Sequence, residues 1–183
     1  LQSLLITLVG STLFLVAIYW VLEGKPSLGV ANVIPILVAI VALVATMRYV
    51  GLDFNAINGG ILAITVGLGT DYSVHIVHRF ADERAERALE PALRRTVVGT
   101  GGALTGSMLT TIGGIGVLVL ALNPVLGNFG LLTALSVVYA YLASMFILPS
   151  VLVLWDRLRQ YDSAGGAVAD SVFPWTKQSG VVT

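Results

Sequence analysis

The sequence predicts an all-α fold, a polytopic membrane helix bundle of five transmembrane helices plus a cytoplasmic amphipathic connector. Three observations predict it. Of the 183 residues 56% are hydrophobic and only 11% charged, with a mean hydropathy of +0.91, whereas a soluble domain carries about 25% charged residues. Uncharged runs recur at the length that crosses a hydrocarbon core roughly 30 Å thick. The charges that exist are gathered into short segments between those runs. Formal net charge is zero, which argues against nucleic acid as a partner, and the absence of cysteine leaves no disulfide or thiolate metal site to consider.

Taken in order, the first span covers about residues 1–22, uncharged throughout, with Tyr19 and Trp20 placed to anchor it at an interface. The chain begins inside an apolar run with no basic leader, so it is expected to be a piece of a longer protein. A polar turn, Glu23 to Ser27, leads into a second span at 28–48, which Pro35 should kink. The third span covers 57–79. A charged connector, 80–96, follows, with Glu83/Arg87 and Glu90/Arg94 at the favourable i,i+4 spacing and a break or restart at Pro91. Residues 96–155 hold no charge at all. They divide into spans at 98–122 and 129–155 around the turn Asn123 to Asn128. The remainder, 156–183, is polar and expected to be a disordered cytoplasmic tail.

Five spans place Lys25, the connector and the tail on one side and Arg48 on the other. Nine of the ten Lys and Arg residues therefore share a face, which makes that face cytoplasmic by the positive-inside rule. The expected location is the plasma membrane, multi-pass, with the C-terminal tail inside.

Asp71 sits within the third span. At about 1.5 Å per residue it lies roughly 21 Å from residue 57 and about 12 Å from Arg79, well inside the bilayer. An acid at such depth costs on the order of 2.5–3.5 kcal/mol and marks a functional group by default. Helical spacing puts Gly60, Ile64, Gly67, Val74, His75 and His78 beside it. Desolvation favours the neutral form of any carboxylic acid, so an intramembrane acid can exchange a proton near physiological pH. Asp71 and His75 are thus candidates for proton coupling, whereas His78 is as well explained as interfacial. Small residues let a second helix approach, and the partner for Asp71 is expected from the glycine-rich fourth span, through Gly102, Gly106, Ser107, Thr110 or their neighbours Thr105 and Thr111.

The string Gly67-Leu68-Gly69-Thr70-Asp71-Tyr72-Ser73-Val74-His75-Ile76-Val77-His78-Arg79-Phe80, with its acidic-basic sequel, resembles the fourth or tenth membrane helix of the resistance–nodulation–division (RND) superfamily. Its MmpL-like and archaeal hydrophobe/amphiphile exporter branch is the nearest in pattern. Thr110 to Gly116, and Phe129 to Ala134 on through Leu148-Pro149, look like the helices that follow. The resemblance spans about residues 27–155. It implies twelve spans in two repeats, of which this chain would supply helices eight to twelve. Helices two to six, the region related to sterol-sensing domains, are the alternative register. It further implies that Asp71 and Tyr72 form the Asp-Tyr pair that carries the proton, facing a counterpart in the other repeat. Gly67, Gly69, Gly106, Ser107 and Thr110 would supply packing and polar contacts.

The function this implies is proton-driven export of lipids or other hydrophobic compounds, with no catalytic residue, cofactor or metal. The partners implied are the other transmembrane repeat and extracytoplasmic domains of the same transporter, the lipid bilayer and a hydrophobic substrate, with a homo-oligomer also compatible. Two other readings stay open: a sterol- or lipid-sensing module without transport of its own, and a protein-export accessory subunit of the SecD/SecF type. An intramembrane aspartyl protease is disfavoured, because that chemistry needs two carboxylates and no other span contains one.

Overall fold

The computed structural model describes residues 2–23, 26–52 and 56–172. Among these, seven α-helices follow one another: α1 Gln2–Glu23, α2 Pro26–Ala31, α3 Val33–Val50, α4 Ala56–Glu86, α5 Leu89–Gly116, α6 Pro124–Leu142 and α7 Leu148–Val172. A 3₁₀ segment, Val117–Leu120, prolongs α5, and a π segment, Ala143–Ile147, fuses α6 to α7. Four stretches are long and apolar enough to cross a membrane, Ser27–Val50, Asn58–Glu86, Leu89–Leu120 and Pro124–Tyr161. With the 22-residue α1 ahead of them, they form the expected polytopic all-α bundle.

Proline and glycine set the joints. The second span breaks at Asn32, between α2 and α3, three residues before Pro35. A proline ring clashes with the carbonyl four residues back, here that of Ala31, so the kink appears upstream of the residue that causes it. Gly51 ends α3 in the left-handed conformation at φ 77°, and the Leu52 N–H closes the motif on the Met47 carbonyl at 2.9 Å. At the start of α6 the Asn123 side chain accepts from the Val125 N–H at 2.9 Å, with Pro124 in the first helical position. Pro124 to Asn128 therefore belong to the helix, and the expected six-residue turn shortens to residues 121–123.

Three other expectations are corrected. The charged stretch 80–96 is not a separate connector: α4 runs on to Glu86, the chain breaks at 87–88, and Pro91 lies in the first turn of α5, where its missing N–H is harmless. Residues 156–172 are helical, as the continuation of α7 rather than a tail, while 173–183 lie outside the described residues. Tyr19 is buried, at 3% exposure, with its hydroxyl 3.5 Å from the Val74 carbonyl of α4. Trp20 alone keeps the outward position of an interface anchor, at 68% exposure.

Helix α4 packs against α1, α3, α5 and α6, and α6 packs against α3, α4 and α5, so these two form the middle of the bundle. One apolar cluster joins Tyr72, Ile76 and Phe80 of α4 to Leu15 of α1, Leu104 of α5 and Leu148 of α7. A second, toward the other end, joins Ile36 and Leu43 of α3 to Leu62 and Val66 of α4 and Leu132 of α6. Close backbone approach is required at Gly130, where an added Cβ would stand 2.7 Å from the Cβ of Leu118 and 3.0 Å from the Val119 nitrogen. Polar contacts lock the end that carries most of the positive charge. Trp155 Nε1–H donates to Ser27 Oγ at 2.8 Å. Arg84 of α4 grips Asp156 of α7 through Nε at 3.0 Å and Nη2 at 3.3 Å.

Candidate functional site

The site is built on two adjacent stripes of α4. Tyr72, Ser73, Ile76, Val77, Phe80 and Glu83 point into the bundle and are buried, following the spacing of three and four that defines one helix face. Asp71 sits one position before Tyr72, about 100° around the helix, and therefore points the other way. Its side chain is 65% exposed, with Oδ1 3.6 Å from Nε2 of His75, itself 60% exposed. One further step along the same face, His78 Nδ1 stands 3.8 Å from Asp82 Oδ1. Ion pairs then turn toward the core: Arg79 Nη2 lies 2.7 Å from Glu83 Oε1, and Arg87 binds the other oxygen of that buried carboxylate. The expected Glu83/Arg87 pair thus forms, while no pair joins Glu90 to Arg94 among the described residues.

Tyr72 takes the polar contacts expected for Asp71. The Tyr72 hydroxyl faces the side-chain hydroxyls of Ser107 and Thr111 on α5, and its ring meets Tyr141 of α6 edge-on, with centroids 6.1 Å apart. Tyr141 Oη in turn lies 2.6 Å from Thr105 Oγ1. The fourth span therefore supplies hydroxyls to the buried tyrosine, and the expectation that it partners Asp71 is corrected. The reason is geometric: α5 packs on the Tyr72 stripe, and the acid is on the next stripe round.

The glycines divide in the same way. Gly69 is buried and lets Ile36 of α3 approach, its added Cβ meeting Ile36 Cγ1 at 3.3 Å and Ala140 Cβ at 3.8 Å. Gly60 and Gly67 on the Asp71 stripe have nothing within 4 Å of an added Cβ, nor do Gly102 and Gly106 on α5. Thr110 turns its hydroxyl back to the carbonyls of Gly106 and Ser107 at 3.1 and 2.9 Å. That leaves the stripe of Gly102 and Gly106 on α5 uncovered within this chain. Asp71, His75 and these glycines thus line faces that the described chain leaves open.

Sequence reasoning missed Tyr141, Asn32 and Ser144. Asn32 is wholly buried at the α2–α3 break, and neither its amide nitrogen nor its oxygen has a partner; Ser144, in the π segment, is also buried with its hydroxyl unpartnered. A polar side chain next to a proline in an otherwise apolar run was the available signal for Asn32. Nothing in the sequence signals a π segment, beyond the Pro149 that follows it.

The MMPL family profile matches residues 5–182. The chain belongs to the MMPL family. A membrane protein of Methanocaldococcus jannaschii is 30% identical over 134 residues, which is 73% of this chain and 34% of that protein. A Niemann-Pick type C1-related protein of Toxoplasma gondii is 30% identical over 137 residues, 70% of this chain and 11% of its own length. The apo-petrobactin exporter of Bacillus anthracis is 30% identical over 92 residues, 50% of this chain and 12% of its own. The chain thus spans about a third of the first relative and about a tenth of the other two. No solved structure matches it. The RND resemblance of the Gly-x-Gly-x-Asp-Tyr-Ser-x-His string is upheld, and the protein is a multi-pass membrane protein of that kind.

Proposed function

We propose that this chain is the transmembrane part of a proton-driven exporter of lipids or other hydrophobic compounds, with Asp71 as the coupling acid. The observation that carries the reading is the outward aim of Asp71 at mid-span, beside uncovered glycine faces on α4 and α5. Hydrocarbon alone is a poor environment for that carboxylate. A second helical repeat with polar groups of its own, packed on these faces, would satisfy both the acid and the close approach that the glycines permit. The similarity to the apo-petrobactin exporter of Bacillus anthracis supports the direction of transport.

In this mechanism Asp71 alternates between two states. Deprotonated, it holds the facing repeat through polar contacts; protonated, it loses that need and the helices repack. A proton moving down a membrane potential releases about 2.3 kcal/mol per 100 mV, comparable with the on the order of 2.5–3.5 kcal/mol that separates a charged from a well-accommodated group at the helix centre. His75, on the next turn, is placed to receive or return the proton. Tyr72 acts from the buried side: packed against Tyr141 and facing the hydroxyls of α5, it helps hold the rotation of α4 that aims Asp71 outward. The excess of Lys and Arg at the Ser27/Arg84/Asp156 end supports placing that end, and the C-terminal segment, in the cytoplasm.

The test is transport by the native polypeptide carrying Asp71→Asn, with insertion and folding verified, beside Asp71→Glu. Loss of transport in the first, with partial recovery in the second, supports the coupling role. Undiminished transport in Asp71→Asn overturns it. The similarity to a Niemann-Pick type C1-related protein favours a second reading, a lipid-sensing bundle without transport of its own. Under it the same variant would bind lipid as the unaltered protein does, and neither would export it.

A further inference from the structure

Two clefts open at the highly charged end of the bundle. The larger, about 390 Å³, lies among Leu28, Phe80, Arg84, Trp155, Asp156 and Arg159. Its cations are already engaged, since Arg84 is bound to Asp156 and the Arg159 guanidinium stacks 5.5 Å from the Trp155 ring centroid. The smaller, about 330 Å³, is different in kind. It is lined by Arg79, Arg94, Arg95, Val98 and Gly99, so that three arginines from two helices border it together with two apolar residues. Arg79 is partly neutralised by Glu83, whereas neither Arg94 nor Arg95 has a carboxylate within ion-pair distance among the described residues.

Depth makes the groove specific. Residues 96–155 carry no charge, so Arg94 and Arg95 stand at the last position before α5 enters hydrocarbon, and Arg79 marks the same boundary on α4. Val98, 73% exposed, and Gly99, with open space where a Cβ would be, continue the groove one turn further, into the acyl region. Unpaired guanidiniums offer forked donors that match a phosphate, and basic pockets between helices at this level suit anionic headgroups. We propose that this groove between α4 and α5 binds the phosphate of an anionic phospholipid from the adjacent leaflet, with Arg94 and Arg95 as its principal contacts. Such a lipid would seat against the flank of the helix that bears Asp71, about 12 Å from the acid. The proposal stands apart from the coupling role of Asp71 and survives its failure.

The experiment titrates the native polypeptide, in nanodiscs of phosphatidylcholine, with short-chain phosphatidylglycerol. The double variant Arg94→Gln/Arg95→Gln is compared with Arg157→Gln, which removes a charge from the same end outside the groove. A loss of affinity of about tenfold or more in the double variant, with little change in Arg157→Gln, is expected. If the double variant does not fold, Arg94→Lys/Arg95→Lys keeps the charge and removes the forks, and a measurable weakening is expected there too. Equal weakening in Arg157→Gln would mean diffuse attraction to the basic end and overturns the site. Displacement of the lipid by inorganic phosphate at matched concentration would make it a site for a soluble anion, and phosphatidylcholine binding equally well would make it an apolar slot. Unchanged lipid retention with loss of helix-bundle assembly would make it a protein contact. Each of these three results also overturns the proposal.

Discussion

At the scale of single residues, Asp71 and Tyr72 show how much one step along a helix decides. They are neighbours in the chain, yet Tyr72 is buried at 2% exposure and set against two other helices, while Asp71 faces outward with His75 Nε2 3.6 Å from its carboxylate. The glycines carry the sharpest predictions at this scale. Gly130→Ala would push a methyl into Leu118 and the backbone at Val119, and overpacking of that kind costs roughly 1–3 kcal/mol. Thermal unfolding of the purified 183-residue chain in detergent should register the loss. Gly106→Ala, by contrast, adds a Cβ that meets nothing within 4 Å in this chain. It should leave that melting temperature nearly unchanged and yet reduce transport by the native polypeptide, because only a second helix on that face would feel it. Equal destabilisation by both substitutions would show that the face of α5 is already covered.

At the scale of elements, the charged end is where the bundle is fastened. Asp156 is 5% exposed and accepts from Arg84 and from Gln160, so α7 is clamped to α4 after it leaves the apolar region. Removing one partner strands the other. Arg84→Ala should cost about 2–3 kcal/mol, below the upper range for a fully buried pair because Arg84 is itself partly exposed. A double-mutant cycle with Asp156→Ala should recover much of that cost as coupling energy; additive effects would mean the pair is a surface contact. Proline placement explains the remaining irregularities. Pro91 and Pro124 lie in first turns, Pro35 follows a break, and Pro149 follows the π segment, so each missing N–H falls where the ladder is already open.

At the scale of the whole molecule, the bundle is closed on the side of α6 and open on the side of Asp71 and α5. The described helices bury two apolar clusters, but they leave an acid, two histidines and a run of glycines on a face at membrane depth. Topology can be checked directly, since the chain has no cysteine of its own. Leu122→Cys, fully exposed between α5 and α6, should react with a membrane-impermeant thiol reagent added to intact cells. Arg157→Cys should react only after the membrane is opened. Labelling of both from outside would reverse the assignment of the basic end to the cytoplasm.

Much of this was legible before any coordinates. The all-α membrane bundle, the gathering of charge into segments between apolar runs and the family of the Asp71 motif all follow from run lengths, charge positions and local spacing, which are properties of the chain taken in one dimension. Even the kink of the second span was legible, though displaced by the reach of the Pro35 ring to Asn32. The tertiary structure alone decided which way each stripe of α4 turns, and so gave the hydroxyls of α5 to Tyr72 instead of Asp71. It also decided that residues 156–172 continue a helix, because Asp156 finds Arg84 seventy-two residues away. Successive helical positions differ by about 100°, so composition places an acid at a depth, and only the packing of neighbouring helices tells which way it faces.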